Sequence, residues 1–559
     1  MKFEKISIRN FRNFENIEIG ISNKNIFFGL NDIGKTNFLY AMRYVFDKDI
    51  RKNGFLDSNF HKKNVEIPIE ITVTVDISDT DDSDSQKLRA QLKGAILSQH
   101  TKVFIKLVAK YNVQELVAMP ILYWGGSLDR LYEIKQRGYR YDIDNIFNVI
   151  YIDSYVDLYG LFKKNIATLI KSDDAAVDKV KREQVLCSYT DSKKNFVFDL
   201  ALDVIMKSSA CRLYLQAKYF KIYIDEYQDC DKSMHMLFMY ICDTLGIDTF
   251  VVGDEKQSIY IWRGAYPEAF KSIWNKPNFH KVFMGDNFRS CQQIQNYSNL
   301  LCEETRGLYN PTESLGNIIW ITPKQQEWPS EVLQYIDPQK RTALLRFRNA
   351  DAENGASELS SAGNNFVFIP QLPIADITTE TAWLYTAIAK YMVLPEYSVY
   401  DLISEIPAEG NSGKKSTATI KRTLEAIANA ENQTVFDTTV NSLCDYLGYE
   451  TRPEHLNKLF STVSNKKYHV AFNTDIYQNI AITFHSSKGL EFDQVILFAG
   501  DYNLSDMSGI YNHYVAVTRA KEKVVIVKCS DYYANRFESN LSQIFALSGL
   551  KTCNLVTYK

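Results

Sequence analysis

The sequence predicts an α/β protein of several domains, and three stretches carry that prediction. At 25–36 an apolar strand runs into a glycine-containing turn and then into an amphipathic helix. At 222–230, IYIDEYQDC, a short apolar strand ends in Asp225 and Glu226. At 250–265, FVVGDEKQSIYIWRGA, a second apolar strand ends in Gly253-Asp254, with Gln257 just beyond. Short apolar runs that stop at such turns read as buried strands emerging at the edge of a sheet.

The totals set the frame. A chain of 559 residues is long enough for three or four domains. With 45% hydrophobic and 23% charged residues it has the composition of an ordinary globular protein. Aromatics reach 13%, including 35 Tyr, which suits stacking surfaces and large cores equally. The net charge of −3 gives no global basic field. Contact with nucleic acid therefore needs a local groove, and its affinity should fall steeply with salt. Nine cysteines are scattered without a C-x-x-C pair, which argues against a disulfide framework, a zinc site or an iron–sulfur cluster. Reduced thiols in a cytoplasmic protein are the expectation. The first residues, MKFEKISIRNF, lack the apolar core of a signal peptide. No run approaches 18 apolar residues, so no membrane partner is expected.

The turn at 29–36 has the spacing Gly29, four residues, Gly34-Lys35-Thr36, in a strand–loop–helix setting. That is a P-loop, whose backbone N–H groups approach phosphates at the positive end of a helix. Lys35 should reach the β- and γ-phosphates of ATP, and the Thr36 hydroxyl should sit on Mg²⁺. Asn31 and Asn37 beside them are further nucleotide-binding candidates. At the second strand, one carboxylate of Asp225 and Glu226 can hold Mg²⁺ while its neighbour polarises the attacking water. Gln257 is placed to sense a phosphate or a water. Tyr260, Trp262 and Arg263 offer faces for unpaired bases and a cation for a phosphate.

Taken in order, residues 1–20 alternate as half-buried strands do, and so do 65–78 and 102–112, as in an antiparallel meander. The acidic stretch near 79–86 is a solvated loop. Residues 148–160 read as another buried strand, leaving at Asp153, and 163–184 as a charged surface helix. A helix is expected over 195–206, and strands over 317–322 and 341–350. The stretch DAENGASELSSAGNN, 351–365, reads as a polar break. A mostly helical block follows to about 465, interrupted at 407–417, where GNSGKKS has the wrong spacing for a phosphate loop.

The two tandem strands ending in DEYQD and GDEKQSIYIWRGA resemble motifs II and III of the UvrD/Rep family of superfamily 1 helicases. Residues 283–301, FMGDNFRSCQQIQNYSNLL, are similar to motif IV. The resemblance implies that Phe288 stacks on adenine and that Arg289 reaches the γ-phosphate. Residues 479–501 resemble motif V, which implies DNA-backbone contacts for Thr483 and His485 and nucleotide contacts for Gly489 and Glu491. Residues 511–527 resemble motif VI, with Arg519 as the second γ-phosphate arginine and Lys521 close by. The N-terminal text is different: IRNFRNF followed by GLNDIGKTN resembles OLD, RecF and SMC ATPases. Neither an LSGGQ-like signature nor a Toprim acidic cluster accompanies it. Helicase motifs Ia and Ib are also missing.

The resemblances imply two RecA-like P-loop motor lobes, an N-terminal ABC/OLD-like ATPase region, and a mainly helical insertion in the second lobe. The expected boundaries are 1–185 for the OLD/RecF-like region and 186–312 for the rest of the first lobe. Residues 313–350 with 466–559 form the second lobe, and 351–465 a reduced insertion. Lys35, Asp225, Glu226 and Gln257 should share one ATP–Mg²⁺ site with Arg289 and Arg519, and the OLD-like region should merge into the first lobe as one continuous sheet. The leading expectation is a DNA-dependent ATPase that translocates on or unwinds DNA, in phage defence or repair. Its partners would be single-stranded DNA or DNA ends. A second reading is an ATP- and DNA-sensing subunit that gates a partner nuclease, as in antiphage systems such as Gabija, where OLD-like and helicase-like proteins work together. A third is an SMC/RecF-like ATPase.

Overall fold

The computed structural model describes residues 1–29, 34–92, 96, 99–134, 146–152, 196–259, 265–266, 268–284, 287, 289–312, 315–324, 326–377, 381–406, 416–449, 451–529 and 531–559. The chain divides into two compact units, Met1–Val156 with Phe198–Phe288, and Asp157–Val197 with Arg289–Lys559. Both are mixed α/β. No helix among the described residues is long and apolar enough to cross a membrane.

The first unit holds two sheets. One is antiparallel and six-stranded, in the order Phe14–Gly20, Lys2–Phe11, Ile69–Asp76, Lys102–Ala109, Pro120–Ser127, Arg130–Glu133. The alternation seen in the sequence fixes its register. Ile8 faces Ile71, which faces Leu107, while Ile6 faces Val73, which faces Ile105. All six are buried, so a slip of one residue would turn each toward water.

The other sheet is parallel, in the order His280–Met284, Asn25–Gly29, Asp248–Gly253, Lys221–Ile224, Val149–Ile152. The strand leading into the glycine turn therefore lies beside the Gly253-Asp254 strand, which lies beside the Asp225-Glu226 strand. This is the continuous sheet expected from the sequence. The 148–160 stretch differs from expectation. Val149–Ile152 is an edge strand, and Val149, Ile150 and Tyr151 are half-buried because they have a strand neighbour on one side only. Asp153, the charged stretch 163–184 and the 407–415 part of the helical block's interruption lie outside the described residues.

Aromatic packing seats the helix Lys35–Phe46. Phe38 lies 4.7 Å from Phe27 and 5.5 Å from Phe250 between ring centroids, which binds the helix to two adjacent parallel strands. At its other end Phe46 stacks on Phe3 of the antiparallel sheet at 5.3 Å. Such contacts contribute about 0.5–1.5 kcal/mol each beyond the area they bury.

The second unit is built on a seven-stranded parallel sheet, in the order Val367–Phe368, Asn479–Thr483, Thr342–Arg346, Phe492–Phe498, Ala520–Val527, Ile318–Ile321, Thr557–Tyr558. Two sequence expectations change here. Residues 351–365 are not a break, because Asn349–Ser361 is a helix. Ala352, Ala356 and Leu359 form its buried stripe, and Gly355 lets it press close to the sheet: a β-carbon there would stand 2.5 Å from Leu344 Cδ2. Residues 289–312, expected in the first lobe, pack in the second unit. The Cys291 N–H donates to the Lys521 carbonyl at 2.8 Å, the Ser290 hydroxyl to the Ala520 carbonyl at 2.6 Å, and Tyr297 Oη lies 2.9 Å from His513 Nε2.

The expected helical insertion is present with a core of its own, from Ile374 to Val463. It leaves the sheet after Val367–Phe368 and returns at Asn479–Thr483, and these two strands are paired neighbours. An insertion with adjacent entry and exit leaves the parent sheet unbroken.

His513 makes one part of this core sensitive to pH. Fully enclosed by Tyr297, Tyr502 and Phe537, it is pushed down to about 3 by burial. Below about pH 6.5 the unfolded chain takes up a proton that the folded chain refuses. Stability at this site is therefore full above that pH and is lost as pH falls toward 3. The expected loss between pH 7 and pH 5 is about 2 kcal/mol. Hydrogen exchange of the helix Met507–Val517 measures it, and His513→Gln should flatten the slope.

Candidate functional site

In the first unit, three neighbouring parallel strands deliver the expected residues to one place, at the carboxyl ends of their sheet, where open α/β sheets bind ligands. Gly29 ends the first strand. Gly34 caps the following helix with φ +91°, a left-handed conformation that suits glycine. A β-carbon on Gly34 would also stand 2.1 Å from Asn13 Nδ2, so no other residue fits.

Lys35 and Thr36 follow in the first helical turn. The Thr36 hydroxyl donates to Asp225 Oδ2 at 2.9 Å, closing a contact across 189 residues of sequence. Lys35 is 8% exposed, and its Nζ lies 3.9 Å from Asp254 Oδ2. Burial pulls the Lys35 ammonium below its ordinary range, and Asp254 opposes that. Burial pushes the Asp254 carboxyl up, but Lys256 and Lys35, with hydrogen bonds from Lys256 and Gln257, outweigh it and hold the group below the usual carboxylate range.

Glu226 adopts φ 48° and ψ 42°, a left-handed conformation rare for a residue with a side chain. Strain of this kind costs about 1–3 kcal/mol and collects at functional sites. Here it turns the chain sharply after Asp225. Gln228 then links the two acidic strands: its Nε2 donates to Glu226 Oε2 at 2.5 Å, and its Oε1 accepts from the Asp254 N–H at 2.9 Å. Gly253 is required beside it, because a β-carbon would stand 2.7 Å from Gln228 Oε1. Gln257, buried, donates from Nε2 to Asp254 Oδ2 at 2.9 Å. The structure thus brings together Lys35, Thr36, Asp225, Glu226 and Gln257.

Sequence reading missed Asp254, Lys256 and Gln228. They sit inside the quoted motifs, but only the fold shows that they cross-link the three strand ends. Arg12 and Asn13 were missed as well. Asn37, expected on the nucleotide, spends its side chain on them: Oδ1 accepts from Arg12 Nη1 at 2.7 Å, and Nδ2 donates to Asn13 Oδ1 at 2.8 Å. Asn31, Tyr260, Trp262, Arg263 and Phe288 lie outside the described residues.

The donor set fits Mg²⁺. Among the described residues there is no cluster of three or more His, Cys, Asp or Glu able to enclose a metal. A hydroxyl and one carboxylate, Thr36 and Asp225, are what a Mg²⁺ that also binds phosphates and water requires.

The second unit carries its own charged cluster. Arg289 Nε donates to Glu491 Oε2 at 2.8 Å and Arg289 Nη1 to the Thr518 carbonyl at 3.1 Å. Lys521 Nζ lies 3.1 Å from Glu491 Oε1. Burial and the adjacent Arg519 push the Arg289 guanidinium down, to about 9, while Glu491 opposes them, so it stays cationic at neutral pH. Arg519 is 1% exposed and donates to the Val515 and Leu490 carbonyls at 3.0 and 3.2 Å. Gly489 turns the chain nearby with φ +87°. Thr483, buried at its strand end, donates to Ser486 Oγ at 3.0 Å. His485 is half-buried, with its ring 4.0 Å from Phe484 and 5.9 Å from Phe347.

Residues 1–233 match the family model described as AAA ATPase domain, and residues 480–527 that of the UvrD-like helicase C-terminal domain. Gabija protein GajB of Bacillus cereus (strain VD045) is 39% identical over 384 residues, covering 67% of this chain and 76% of that protein. Endonuclease GajA of the same strain is 46% identical over 189 residues, 32% of this chain and 33% of that protein. An ATP-dependent helicase/nuclease protein of Streptococcus equi subsp. zooepidemicus (strain MGCS10565) is 30% identical over 166 residues, 29% of this chain and 13% of that protein. The chain therefore spans about three quarters of the first relative, a third of the second and an eighth of the third.

Proposed function

The chain belongs to the family of Gabija protein GajB and is a helicase-type ATP hydrolase, and from that premise we propose that it is a DNA-dependent ATPase that translocates on or unwinds DNA in defence against phage. The observation that carries the reading is the 2.9 Å contact of Thr36 with Asp225, which joins the P-loop helix to the acidic strand.

Each residue has a proposed task. Backbone N–H groups at the start of the helix Lys35–Phe46 and the Lys35 ammonium bind the β- and γ-phosphates. Thr36 and Asp225 would hold Mg²⁺, which when bound neutralises charge on the phosphate oxygens. Glu226 orients the attacking water and takes its proton. Gln257, tied to Asp254, reports the state of the γ-phosphate to the segment that follows it. For Arg289 and Arg519 the proposed role is stabilisation of charge that develops during hydrolysis.

Strand displacement tests the reading. A labelled duplex with a single-stranded tail should be opened by the protein only with ATP, and less as salt rises. Hydrolysis without displacement would favour a second reading, an ATP-switched protein that gates a partner nuclease. One observation supports that alternative: the six-stranded antiparallel sheet occupies the stretch where motifs Ia and Ib would lie.

A further inference from the structure

Two lysines share one buried carboxylate beside the phosphate-binding helix. Asp254 is 2% exposed. Its Oδ1 lies 2.8 Å from Lys256 Nζ and accepts the Lys256 N–H at 3.2 Å. Its Oδ2 lies 3.9 Å from Lys35 Nζ and accepts from Gln257 Nε2 at 2.9 Å. Coulomb attraction falls with distance, so Lys256 has the stronger hold and Lys35 the weaker. Lys256 is itself only 8% exposed, which keeps this competition out of water.

We propose that Lys256 is a positioning residue for the nucleotide: it occupies Asp254 and so lets Lys35 be taken over by a triphosphate. The inference rests on Lys35 being the phosphate-binding lysine. Without Lys256, Asp254 would turn its whole charge on Lys35, and an incoming phosphate would have to displace a buried carboxylate. With Lys256 in place, the handover of Lys35 leaves Asp254 still paired and still holding Gln257, so no buried charge is stranded.

Steady-state ATP hydrolysis by the full chain tests this with Lys256→Met, Asp254→Asn and the double variant. Lys256→Met should raise KM for ATP about tenfold while kcat changes no more than about twofold, the pattern of weakened ground-state binding. Adding Asp254→Asn should return KM to within about threefold of wild type, because the competitor is gone, and such coupling is what a double-mutant cycle isolates. Lys256→Arg, which keeps the cation, should keep the wild-type KM. An unchanged KM in Lys256→Met, or KM effects that simply multiply in the double variant, overturns the proposal. Should Asp254→Asn fail to fold, the Met and Arg variants at Lys256 decide alone. Failure of the underlying reading looks different: hydrolysis would survive Lys35→Ala.

Discussion

Lys35→Ala is expected to lower kcat/KM for ATP by about 10³-fold while the protein stays folded. A preorganised donor aimed at developing charge contributes about 3–4 kcal/mol in a water-poor site, and Lys35 is buried at such a position. The substitution leaves no buried carboxylate alone, since Asp254 keeps Lys256 at 2.8 Å and Gln257 at 2.9 Å. The melting temperature should therefore stay close to wild type while turnover collapses. Steady-state phosphate release and a thermal melt on the same sample check both halves.

Glu226→Gln should cut kcat by about 10²–10⁴-fold, the usual contribution of a positioned general base, with KM for ATP nearly unchanged. The amide keeps the size of the carboxylate but cannot take a proton. Glutamine meets the same backbone strain at φ 48° as glutamate does, so the sharp turn after Asp225 gains no new cost. Gln228 can still donate to the side-chain oxygen it now reaches at 2.5 Å. Nucleotide binding measured by fluorescence titration should persist where turnover is lost. Loss of both together would place Glu226 in the framework of the site rather than in its chemistry.

The sequence exposed most of the first unit because its signals are local. Alternation at 1–20, 65–78 and 102–112 marked an antiparallel sheet, and apolar runs ending in GKT, DE and GD marked parallel strands. The packing of the OLD-like strand Asn25–Gly29 against the helicase-like strand Asp248–Gly253 followed from the need of Lys35 and Asp225 to share one nucleotide. What escaped notice depends on contacts between distant residues. Serines and a glycine hid the buried stripe of the helix Asn349–Ser361, whose Gly355 is explained only by Leu344 of a neighbouring strand. The stretch 289–312 was assigned by its place in the motif order, whereas its backbone bonds go to Ala520 and Lys521. Asp254, Lys256 and Gln228 were visible as letters, but their competition for one another's charges and donors exists only once three strand ends meet.

The most direct test of a DNA-driven ATPase is steady-state ATP hydrolysis by the wild-type chain without DNA, with single-stranded DNA and with duplex DNA. The account predicts strong stimulation by single strands that weakens with salt. Slow hydrolysis at the same rate in all three conditions would contradict it.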